Sequence, residues 1–104
     1  MIINNLETIP GHQIKTHLGL VQGSTVRAKH AGKDFFAGIK NIFGGELRSY
    51  TELLNESREQ SLERMEAQAL ALGANAIINV RFSTSSIAAG AAELFVYGTA
   101  VITD

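Results

Sequence analysis

Three histidines, His12, His17 and His30, are the side chains of this chain that suggest a metal site. The 104 residues include no cysteine, which excludes disulfides and thiolate chemistry and removes the preferred ligand of soft metals. A metal would need imidazole and carboxylate donors, a set that favours zinc, nickel or copper over the softest heavy metals. The spacing works against a site within one chain. Residues five apart on an unbroken strand have opposite parity, so His12 and His17 point to opposite faces unless a bulge intervenes. No spacing here matches a tight zinc motif. Surface or hydrogen-bonded histidines are the plainer expectation, and a divalent metal on His12, His17 and His30 is the alternative.

Other chemistry is weaker still. Acid–base catalysis needs carboxylates whose pKa values are driven apart, usually inside a cleft. Glu52, Glu56, Glu59 and Glu63 instead neighbour one another along a helical run, where solvation is expected. Arg48 and Glu52 stand four apart as an ordinary helical pair. Arg58 sits beside the small Ser57 and so borders an interface or a sheet edge; a structural ion pair is the bland reading and anion binding the sharp one. "RAKHAGKD" ends in Gly-Lys like a phosphate loop, but Arg27 replaces its first glycine and Asp34 its Ser/Thr. Gly44-Gly45 and Tyr97-Gly98-Thr99 are explained more simply by a tight turn and a close backbone approach. The pattern names no reaction.

The elements that would position these residues form one domain, 1–104. A chain 45% hydrophobic and 18% charged, with a single proline, is globular. A domain this small leaves much surface uncovered, so self-association is a natural way to bury more. No basic and apolar leader opens the chain and no apolar run approaches ~20 residues, so the cytoplasm is expected and a membrane is not. Residues 1–45 hold five cations against two carboxylates, while residues 46–72 hold three against six. That split favours complementarity within or between subunits over nucleic-acid binding.

Residues 1–11 open as a short strand and turn at Pro10-Gly11. From His12 to Lys29 the apolar parity shifts near Gly19–Gly23, as one strand with a bulge or two strands joined at Gln22-Gly23-Ser24. "KDFFAGIKNIFGG" predicts a short apolar helix capped by Asp34 and stopped by Gly44-Gly45. The longest signal follows, a helix entered near the Ser49–Glu52 capping box, or already near Glu46, and ended by Gly73. Its seam runs Leu47, Tyr50, Leu54, Ser57, Ser61, Met65, Ala69, Leu72, with small residues that permit close approach. Residues 75–82 alternate as a half-buried strand, "STSSIAAGAA" reads as a loop, and "ELFVYGTAVIT" is a strand apolar on both faces. The fold class is α+β: a mainly antiparallel sheet on one long helix, with the short apolar helix at one end.

"IPGHQI", "LGLVQG", "NIFGGELRSYTELL", "SREQSLERM", "LGANAIINVRF" and "YGTAV" together resemble the YbjQ-like family of small prokaryotic proteins, in order and over nearly the whole chain. The resemblance implies an α+β, dodecin-like subunit, a homopentameric ring and a heavy-metal-binding label without a settled function. The expected function is therefore a non-enzymatic, self-assembling binding or scaffold protein with ligands between subunits and itself as partner. No cofactor is identified beyond the possible divalent metal. The alternatives are metal binding through histidine and carboxylate, or an enzyme on a small anionic metabolite using Tyr50, Arg58 and a neighbour's glutamate.

Overall fold

The computed structural model describes residues 1–28, 48–88 and 91–104. The apolar helix expected over 33–45 lies outside them. Five elements follow in order: β1 (Ile2–Ile3), β2 (Ile14–Ala28), α1 (Arg48–Ala71), β3 (Ala76–Ala88) and β4 (Ala91–Thr103). The strands form one mixed sheet in the order β1-β3-β4-β2. β1 runs parallel to β3, and β4 pairs antiparallel with both β3 and β2. The fold is α+β, as the periodicities predict.

α1 lies mainly over β2 and β4. Its seam is buried at Ser57, Ser61, Met65 and Ala69, while Leu72, past the helix end, is half exposed. The helix is already formed at Arg48, which places Ser49 inside it rather than at its cap. Gly73 takes φ +86°, the left-handed turn that stops the helix. The small seam has a purpose visible at Gly23 of β2. A Cβ built there would stand 2.1 Å from the main-chain oxygen of Ser61 and 2.6 Å from the nitrogen of Met65. Helix backbone therefore rests almost directly on strand backbone, and only glycine fits.

Polar groups on this contact are satisfied locally. The Ser61 hydroxyl lies 2.9 Å from the Ser57 carbonyl, 3.3 Å from that of Leu94 and 3.4 Å from the Thr25 hydroxyl. Its single proton serves one carbonyl at a time, and Thr25 can donate in return. Met65, Ala69, Val21, Ile77, Val80, Val96 and Ala100 complete the core beneath the helix.

The other face has its own smaller core of Ile9, Ala76, Ile78 and Val101. The segment before β2 covers it. Pro10-Gly11 turns the chain with a His12 N–H to Ile9 carbonyl bond of 3.0 Å and φ +83° at Gly11. Residues 76–78 are thus buried on both faces, more than the half-buried strand expected.

β2 is a single long strand, and its register breaks between Ile14 and Thr16 and between His17 and Gly19, where Gly19 has φ +120°. β3 breaks between Ile78 and Arg81, with Asn79 at φ +54°. This bulge brings Val80 under the helix with Ile77, overturning the plain alternation of Ala76, Ile78, Val80 and Phe82. The bulges flank β4 near Gly98, whose missing Cβ would meet Ile77 Cγ2 at 2.8 Å and the Ile78 oxygen at 2.9 Å. Beyond them the strands continue as an arm. The stretch expected as a loop is strand to Ala88, because Ser83, Thr84 and Ser85 pair with Phe95, Leu94 and Glu93. Small β-compatible residues take their order from such partners.

Candidate functional site

The arm presents one face without a covering element among the described residues. Leu20 and Val26 of β2 lie there, 70% and 50% exposed. Phe95 and Tyr97 of β4 stack beside them with ring centroids 5.3 Å apart. On the helix side, Phe82 pairs with Val96 near the margin of α1 and remains 46% exposed.

β2 is the outer strand of the sheet, so alternate main-chain groups point away from β4. Two helix side chains meet them. Gln68 Oε1 accepts the Gln22 N–H at 2.9 Å, and Arg64 Nη1 donates to the Ser24 carbonyl. The close approach at Gly23 is what brings these side chains to the strand edge. Together they wall an open cleft of about 420 Å³ lined by Gln22, Gly23, Ser24, Arg64, Gln68, Glu93 and Phe95. It offers amides, a guanidinium, a carboxylate and a ring face, and among the described lining residues no hydroxyl or imidazole is paired with a base. Such a recess can hold a small polar molecule, and nothing among its described lining residues activates a nucleophile.

Arg64 and Gln68 were not singled out by sequence. They stand one position before the seam residues Met65 and Ala69, a flank that borders the packed stripe. Arg58, on the same helix, is exposed and donates to Asn55 Oδ1 at 3.0 Å, away from the cleft lining. Tyr50 lies on α1 by its backbone.

The two described histidines do not converge. His17 is an exposed strand residue paired with Val101. His12 precedes β2, its Nδ1 3.1 Å from the Asp104 main-chain oxygen and 3.4 Å from Asp104 Oδ1. His30 lies outside the described residues. Asp104 Oδ1 also accepts the Gln13 N–H at 2.9 Å; this bond, helped by His12 and Lys15, holds the carboxyl below its ordinary pKa. Among the described residues no three His, Cys, Asp or Glu side chains form a metal-holding group.

Among the described residues the chain is an α+β domain with an open polar cleft at the outer edge of its sheet. Residues 1–104 match the YbjQ family, described as "Putative heavy-metal-binding", and the chain belongs to that family. It is 71% identical to a UPF0145 protein of Hahella chejuensis over 98% of each chain. It is 54% identical to the UPF0145 protein DET1617 of Dehalococcoides mccartyi over the full length of both. A crystal structure of a DUF74-family protein with unknown function from Pediococcus pentosaceus shares the fold, with a TM-score of 0.64 at 15% identity, covering 100% of this chain and 98% of the other. The family description and this chain's donors disagree. Without a thiolate in the chain, and with no group of three such donors among the described residues, the described residues do not fit a soft metal ion within one chain. No helix among the described residues is long and apolar enough to cross a membrane.

Proposed function

We propose that the protein is a non-enzymatic, self-assembling binding or scaffold module of the cytoplasm, a pentameric ring with ligand sites between subunits. The observation that carries this reading is the apolar strip on the arm, where Leu20 and Val26 stand exposed beside the Phe95–Tyr97 pair. Large side chains in one strip favour an interface over open solvent. The partner is another copy, and the arm's recess at the edge of β2 lies beside that interface. Sedimentation tests the assembly. The expected result is a stable oligomer at micromolar concentration; a stable monomer there refutes the reading.

A metal-binding reading is favoured by the His12–Asp104 pair. Assembly would complete it by setting His12 of one subunit near His17 of the next, for zinc or nickel. Imidazole binds metal only when neutral, so affinity falls in acid. Calorimetry on the wild type and on a triple alanine variant of His12, His17 and His30 tests it, and equal weak heats from both refute it. An enzyme on a small anion would instead lose turnover in Arg58→Ala with the ring intact.

A further inference from the structure

The cleft at the edge of β2 contains donors that are fixed in place yet only partly used. Gln68 spends its amide oxygen on the Gln22 N–H, which leaves the amide NH₂ unpaired among the described residues. Arg64 spends one nitrogen on the Ser24 carbonyl, which leaves the rest of its guanidinium unpaired in the same sense. Both side chains are exposed, stand four residues apart on one helix and are directed to the strand edge by these bonds. A carboxylate accepts from two such donors at once. On the sheet side, the Glu93 carboxylate has no hydrogen-bond or ion-pair partner among the described residues, and the Phe95 ring lies next to it along the strand. No ion pair joins Arg64 to Glu93. The cleft thus presents opposite charges that do not neutralise each other, beside an aromatic surface. Its volume of about 420 Å³ suits a small molecule rather than a chain segment.

We infer that this cleft binds a small zwitterion of the amino-acid kind. Its carboxylate meets Arg64 and Gln68, its ammonium meets Glu93, and its apolar part lies on Phe95. The inference rests on the binding-module reading and names the ligand class for it.

L-phenylalanine is the probe, with L-phenylalaninamide lacking the carboxylate and N-acetyl-L-phenylalanine lacking the ammonium. Amide shifts of Gln22, Gly23, Ser24 and the Gln68 side-chain NH₂ report binding in the full chain. The expected result is a saturable shift with phenylalanine and at least tenfold weaker binding of both derivatives. Arg64→Gln should weaken phenylalanine tenfold or more and leave the amide unchanged. Glu93→Gln, which leaves the helix-to-strand anchors intact, should weaken phenylalanine and leave the N-acetyl derivative unchanged. Equal binding of all three probes overturns the inference, as does phenylalanine binding indifferent to both variants. Sedimentation of the same samples separates the two readings. An assembled protein without a phenylalanine shift overturns the ligand class alone, whereas a shift from a monomer upholds it and removes the assembly.

Discussion

The two ends of the sheet are built from the same strands but finished differently. Around Ala76–Ile78 and Val101, helix and N-terminal segment cover opposite faces, and two cores enclose the strands. Beyond the bulges at Gly19 and Asn79, α1 remains on one face while Leu20 and Val26 stand open on the other. The first end spends its apolar residues on holding the chain together. The second keeps large apolar residues and a polar cleft at the surface, where they can serve recognition. Substitutions should therefore separate cleanly: stability at the enclosed end and under the helix, association on the open face.

Gly23→Ala should give one of the two largest effects. Its Cβ would fall on the Ser61 and Met65 backbone, which cannot move aside as a side chain can, and a loss of about 3 kcal/mol is expected in chemical denaturation. A loss under 1 kcal/mol would mean that the helix does not lie this close to β2. Met65→Ala, at a fully buried position, should cost about 2–5 kcal/mol in the same measurement. Leu20→Asp should act in the opposite way. With the side chain 70% exposed, it should leave circular dichroism unchanged and lower the sedimentation coefficient.

The smallest effect concerns the clasp between His12, Gln13 and Asp104. The Asp104 carboxyl is lowered first by the Gln13 N–H and then by the charges of His12 and Lys15. A carboxyl lowered on folding adds stability above its ordinary value of about 3.8 and loses it as pH falls through the lower folded value. The clasp should hold at pH 7 and loosen in acid below that value. The amide resonance of Gln13 should titrate there, and Asp104→Asn should remove the titration. A Gln13 resonance unaffected by acid would count against the bond.

How far this contrast was legible in sequence follows from the kind of signal each part gives. The enclosed end announces itself through periodicity: the seam Ser57, Ser61, Met65, Ala69 and the stop at Gly73 read directly from spacing. The bulge at Asn79 does not, since "NAIINVRF" alternates without a break and only the left-handed φ of Asn79 shifts the faces. By sequence the arm reads as a loop because Ser83–Ser86 lack large residues, and its strand character comes from the partner residues on β4. The cleft was missed for a related reason. Spacing points to Arg58 beside a seam serine, whereas the helix sits on β2 so that Arg64 and Gln68, on the other flank, reach the strand edge. Which flank meets the edge depends on the crossing of helix and strand, which spacing along the helix cannot reveal.

The central claim is that the open face of the arm joins copies of the chain. Sedimentation velocity on the wild type and on a Leu20→Asp/Val26→Asp double variant at micromolar concentration tests it most directly. The account predicts a wild-type oligomer and a folded, dissociated variant. A wild type that sediments as a monomer, or an oligomer that the double variant leaves intact, would contradict it.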